Sequence, residues 1–231
     1  MKALARAQGY SLIELMVATV LFTIISGTVF SLLLSAQLQY QGESSVSAAF
    51  QQANVAIDQI VRDVHSAGYP PKSSFMATVS DAHPEYYAVP FAWNPSYPSP
   101  PCTVNGNCTT PSDYDLILEA DAGNGVQWIR YSLQGTTLMR AVVRKAQFAD
   151  PLASTDAFLL PYLENVQNGP GNKSLPIFSY GFDATVTQHW VTNIREVNIS
   201  LIVDSAKPDP QTHAVRTIAL TGQAVRFNPN Q

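Results

Sequence analysis

Residues 1–37 read MKALARAQGYSLIELMVATVLFTIISGTVFSLLLSAQ, and the fold turns on them. Two basic residues, Lys2 and Arg6, precede an apolar run, and the next Lys or Arg is Arg62. The segment Tyr10 to Leu34 makes a helix of about 37 Å at a rise of about 1.5 Å per residue, enough to cross a bilayer with some tilt. The basic residues on one side predict a cytoplasmic N-terminus with the rest of the chain translocated outward. From Tyr10 to Ala36 the one formal charge is Glu14. A carboxylate in hydrocarbon costs several kcal/mol unless it is protonated, interfacial or paired. An ordinary secretory signal would have a shorter apolar region with a small-residue cleavage site after it. Neither that reading nor a plain membrane anchor explains Glu14.

The stretch Gly9-Tyr10-Ser11-Leu12-Ile13-Glu14-Leu15 resembles the prepilin processing site of type IV pilins and of the pseudopilins of type II secretion. The resemblance implies cleavage after Gly9 by a prepilin peptidase on the cytoplasmic side, followed by N-methylation of Tyr10. Tyrosine stands there where the family most often has phenylalanine. Glu14 falls where the family carries a glutamate thought to attract the N-terminal amine of a neighbouring subunit during assembly, and in low dielectric such an opposite charge gains most at close range. The implied partners are the peptidase, other pilin or pseudopilin subunits, an inner-membrane assembly platform and membrane lipid. The implied location is the inner membrane, with a single pass and a periplasmic head, and then a pilus or pseudopilus.

The helix is expected to continue past the membrane. After a polar patch, apolar residues recur at Val46, Phe50, Ala53, Ile57, Ile60 or Val61, and Val64, spacings of three and four that share one helical face. Gly68 and the pair Pro70-Pro71 end it. One helix from Tyr10 to about Ala67 would be about 87 Å long. Gly27 and Gly42 are candidate soft points, or sites of close packing. The division is therefore a leader over 1–9, a transmembrane assembly helix over 10–36, an amphipathic outer half over 37–68, a Pro-rich loop over 69–113, and a sheet over 114–231.

The loop is rich in Pro, Ser, Tyr and Asn and holds both cysteines of the chain, Cys102 and Cys108. It reads as an irregular surface excursion and is the first place to look for a partner surface. A metal site would need further Cys or His at sensible spacing, and the nearest histidine is His83. A local disulfide made in an oxidising compartment reads better, with two free thiols as the alternative.

Beyond the loop, strands are expected over 115–120, 126–133 and 137–143, the first two joined by a turn at Asn124-Gly125. Further strands are expected near 176–182, 197–203 and 214–227, the middle one alternating Val197, Ile199, Leu201 and Val203. The segment Tyr114 to Arg140 is also similar, more loosely, to a meander in the larger minor pilins and pseudopilins. The expected fold is α+β: a long N-terminal helix packed on an antiparallel sheet head, pilin-like.

The chain carries net charge −4, or −6 once Lys2 and Arg6 are removed, which argues against nonspecific nucleic-acid binding. The histidines 65, 83, 189 and 213 are scattered, and no GxSxG, HExxH or phosphate-cradling glycine loop occurs. No cofactor, metal site or catalytic residue is expected. Residues 119–125 have a passing likeness to a calcium loop but lack its ligand spacing and closing glutamate, so a polar hairpin tip is preferred. A head of this size suits a minor pilin or a J-type pseudopilin. The rival from another class is a membrane-anchored periplasmic enzyme or receptor.

Overall fold

The computed structural model describes residues 11–92, 111–121, 123–147, 149–182 and 193–227. Helix α1, Leu12–Ser66, covers both expected helical segments without interruption. Its 55 residues correspond to about 82 Å. It runs through both candidate soft points, and the two glycines differ. A Cβ on Gly27 would meet nothing within 4 Å, whereas one on Gly42 would lie 3.4 Å from Pro210 Cδ. Gly42 marks a close approach of the helix to a head loop.

The helix ends where the sequence stops supporting it. Gly68 adopts a φ of +83°, a left-handed conformation that costs glycine little. Its N–H donates to the Glu119 carbonyl at 2.8 Å, and the Asp121 N–H donates to the Tyr69 carbonyl at 2.9 Å. The chain leaving α1 is thereby stitched along the first strand of the sheet.

The face that α1 buries is Ala49, Ala53, Ala56, Ile57, Ile60 and Val64. Phe50, expected to point inward, is 46% exposed. The stripe passes through Ala49 instead. A Cβ added at Gly222 on the facing strand would sit 2.4 Å from Ile57 Cγ2. Glycine at that position leaves the space that the Ile57 side chain fills.

The first part of the 69–113 excursion is more ordered than a solvated loop. It contains short 3-10 turns at Lys72–Ser74 and Pro84–Tyr86 and a helix, α2, Ala77–Ala82. Phe91 bridges to Leu118, and the Ala92 N–H donates to the Ile117 carbonyl at 3.0 Å. Ala88, Phe91 and Ala92 are buried.

The head forms two antiparallel sheets where one was expected. The first has the order β1 (Asp115–Asp121), β2 (Val126–Gln134), β3 (Thr137–Arg144), β4 (Leu160–Leu163). The second runs β5 (Phe178–Phe182), β6 (Ile194–Asp204), β7 (Thr217–Val225). A short helix, α3 (Pro151–Asp156), precedes β4, with the Asp150 side chain accepting from the Leu152 and Ala153 N–H groups. Neither α3 nor β4 was expected, since a strand of four residues containing Pro161 carries little alternation to read. The sheets are joined where Val166 bridges to Val203, and where Ile177 and Phe178 donate to the Asp113 carbonyl. Tyr131, Phe178, Leu116, Leu138, Ile199 and Leu201, all fully buried, fill one core with the α1 stripe.

Candidate functional site

Every residue from Ser11 to Gln41 is exposed, although the segment is dominated by side chains such as Leu12, Ile13, Leu15, Phe22, Ile25 and Phe30. This part of α1 is long and apolar enough to cross a membrane, and none of it is buried by the head. So large an apolar surface calls for lipid or other helices to cover it. Its threonines are already satisfied within the helix. The Thr19, Thr23 and Thr28 hydroxyls each donate to a carbonyl three or four residues back, which lowers the cost of carrying them into hydrocarbon.

Glu14 is tied into the helix start. Ser11 is the N-cap, with φ −74° and ψ 150°. Its side-chain oxygen accepts from the Glu14 N–H at 3.2 Å, while Glu14 Oε2 accepts from the Ser11 N–H at 3.0 Å. This capping box satisfies two backbone donors that the helix cannot. Its Ser-x-x-Glu spacing is plain in the sequence, so Ser11 could have been singled out and was not. The carboxylate thus has a local role that needs no arriving cation. It also keeps spare capacity, because a carboxylate offers about four acceptor positions and the box uses one.

Gly9 and Tyr10 lie outside the described residues, as do Cys102 and Cys108.

The head is fastened to the outer half of α1 at two polar points. At Asp63, a buried carboxylate that the sequence reading passed over, Oδ2 accepts from the Tyr131 hydroxyl at 2.5 Å and from Arg140 Nη2 at 3.0 Å. Gln59 Nε2 donates to Oδ1 at 2.8 Å. Asp63 lies one helical turn beyond Ile60 on the buried face, and a lone acid there is the signal that could have found it. Near Gly42, the segment between β6 and β7 closes on the helix. The Lys207 N–H donates to Ser45 Oγ at 3.2 Å, and Asp209 Oδ1 accepts from the Gln211 and Thr212 N–H groups at 2.9 and 3.2 Å. Asp209 Oδ2 pairs with Arg216 at 2.5 Å. The backbone donors of Gln211 and Thr212, with Arg216 added, hold the Asp209 carboxyl below its ordinary value.

The Asp121 carboxylate accepts from the Gly123 and Gly125 N–H groups at 2.7 and 3.0 Å, closing the hairpin tip. Glu119 is turned inward, where it accepts from Trp128 Nε1 at 2.8 Å and pairs with Lys145 at 2.6 Å. His83 pairs with Glu85 at 2.9 Å, and His65 lies against Phe227. Among the described residues, no three His, Cys, Asp or Glu are grouped to hold a metal ion.

A family model described as the prokaryotic N-terminal methylation motif matches residues 4–30. The match covers the basic residue Arg6, Gly9, Glu14 and the exposed apolar helix as far as Phe30. No curated relative and no solved structure matches the chain.

Proposed function

From the prepilin-type signature that this chain carries over residues 4–30, we propose that it is a non-enzymatic structural subunit of a type IV pilus, present as a minor component. The peptidase removes residues 1–9, Tyr10 is methylated, and the exposed half of α1 passes from the membrane into the filament. The head, held outside the inner membrane, is displayed on the outer half of the same helix. One observation carries this reading: the matched signature runs into a helix that the head leaves entirely uncovered from Ser11 to Gln41. A helix that must be surrounded first by lipid and then by other helices has that form. Assembly as a pseudopilin of type II secretion uses the same parts and is the alternative.

The test is processing followed by incorporation. Coexpression with a prepilin peptidase should shorten the chain by residues 1–9 and leave Tyr10 as the N-terminus, and Gly9→Val should block this. The mature protein should then appear in sheared pili when produced in a strain lacking its own copy. Recovery of an intact Met1 terminus beside an active peptidase would overturn the proposal. Incorporation only when secretion pseudopilins are present would assign the alternative.

A further inference from the structure

We propose that the free edge of β7 takes up an extended strand from the head of a neighbouring subunit, so that the two heads share one sheet. The inference rests on the assembly reading above. Two hydrogen bonds fix which way each β7 residue faces. Ser205 N–H donates to the Arg216 carbonyl at 2.8 Å, and Arg226 N–H donates to the Arg195 carbonyl at 2.9 Å. With β6 and β7 paired from Asp204↔Thr217 to Glu196↔Val225, the even-numbered residues of β7 exchange hydrogen bonds with β6. Thr217, Ala219, Thr221, Gln223 and Val225 turn their N–H and C=O groups the other way. All five are exposed, and none has a further backbone partner among the described residues.

The other strand edges are protected, and this one is not. Long edges are normally blunted by charge, proline, bulges or a covering segment. The β1 edge is covered by the Phe91 bridge and by the Gly68 and Ala92 N–H groups. The outer strand β4 has four residues, contains Pro161, and pairs through a shifted register. Strand β5 has a register shift at Gly181/Phe182. Strand β7 pairs in unbroken register over nine residues, Thr-Ile-Ala-Leu-Thr-Gly-Gln-Ala-Val, with no charge and no proline.

The same strand identifies the occupant. Gly222 packs against Ile57 and Val61 of α1, so β7 runs beside the helix through which subunits assemble. Packing of α1 beside a neighbour's helix would bring that neighbour's head alongside the outer half of the helix, where β7 lies. The outward residues are uncharged and mostly small, so the fitting partner is an extended segment supplying backbone donors and acceptors at alternate positions.

Thr221→Pro provides the test on the full-length chain. Proline at 221 removes an N–H that faces outward, and edge strands tolerate proline in that orientation, so pairing with β6 is kept. Thr221→Ala retains the N–H. The proline variant should be processed at Gly9 and reach the membrane normally, yet its recovery in sheared filaments should fall about tenfold, with the alanine variant unchanged. In the wild type, amide exchange at residues 219, 221 and 223 should slow on passing from detergent monomer to filament. Normal incorporation of a folded proline variant overturns the proposal, as do equal exchange rates in the two states. Should the proline variant fail to fold, the exchange rates decide. A wild-type chain that never enters a filament removes the assembly reading and this one together, whereas loss by Glu14→Ala with normal Thr221→Pro removes only the strand pairing.

Discussion

The hydroxyl of Tyr131, in the middle of β2, donates to Oδ2 of Asp63 near the end of α1 at 2.5 Å. The two residues are 68 positions apart, and their bond ties helix to head across the buried core. Arg140 completes the cluster, with Nε donating to the Tyr131 oxygen at 2.9 Å and its guanidinium 5.5 Å from the Tyr131 ring and 5.9 Å from that of Tyr162. Burial raises the Tyr131 hydroxyl well above its ordinary range, and the Asp63 charge pushes it further the same way. It stays protonated as the donor that the carboxylate needs.

Removing one member should therefore cost more than removing an isolated bond. Tyr131→Phe leaves Asp63 with Arg140 and Gln59 and should destabilise the head by about 1–3 kcal/mol. Asp63→Ala leaves the Arg140 charge without its partner, and breaking a buried pair this way costs about 3–5 kcal/mol. Because a quarter of the Arg140 side chain is exposed, the low end of that range applies. Urea unfolding followed by tryptophan fluorescence should rank Asp63→Ala below Tyr131→Phe in stability, and equal midpoints would contradict the network.

Gly222 should resist even alanine. The added Cβ would lie 2.4 Å from Ile57 Cγ2, the branch of a stiff side chain on the helix. Overpacking of this kind costs about 1–3 kcal/mol. In an Ile57→Ala background the obstructing methyl is gone, so Gly222→Ala should then cost less. The double-mutant cycle measures this coupling, and additive effects would place the two residues out of contact.

The clasp at Asp209 should respond to acid. Its carboxyl lies below the ordinary 3.8 in the folded protein, held down by the Gln211 and Thr212 N–H groups and by Arg216. A depressed folded pKa means the stabilisation is complete above the unfolded value and fades as pH falls through the folded one. Asp209→Asn should thus be less stable than wild type at neutral pH, with the gap closing below about pH 3.8. A gap that is constant between pH 7 and pH 3 would remove Asp209 from the clasp.

How far each element was legible follows from what it buries. The Leu12–Ser66 helix was readable because an apolar run is followed by apolar residues at spacings of three and four, and Gly68 and Pro70 stop it. The inward face passes through Ala49 and not through its larger neighbour Phe50, a choice between adjacent positions that apolar size alone does not encode. Strands β1 to β3 follow from short apolar and aromatic segments set off by the Asn124-Gly125 and Gly135 turns. Their separation from β5–β7 depends on long-range pairing that no local pattern encodes. At the site, Glu14 was conspicuous as a charge among apolar residues. Ser11 and Asp63 were not, because each acts through a partner: three residues away for Ser11, and across the fold for Asp63.

The double position of Glu14 yields the sharpest test. As a capping residue it needs only a side-chain acceptor for the Ser11 N–H, and glutamine supplies one, since Ser-x-x-Gln closes the same box. As the attractant for a neighbour's N-terminal amine it needs its charge, which glutamine lacks. Glu14→Gln separates the roles that Glu14→Ala removes together. Neither substitution should disturb the head, because residues 11–41 make no buried contact with it. Nor should either impair insertion, because removing a charge makes the segment more apolar. Ser11→Ala, which removes the cap and keeps the charge, costs the helix about 0.5–2 kcal/mol. Membrane level, the Tyr10 terminus and recovery in sheared filaments should be measured for all three variants. If charge drives assembly, Glu14→Gln and Glu14→Ala lose filament recovery alike, while Ser11→Ala retains most of it. If Glu14 serves only the helix start, Glu14→Gln behaves as wild type, and Ser11→Ala and Glu14→Ala fail together.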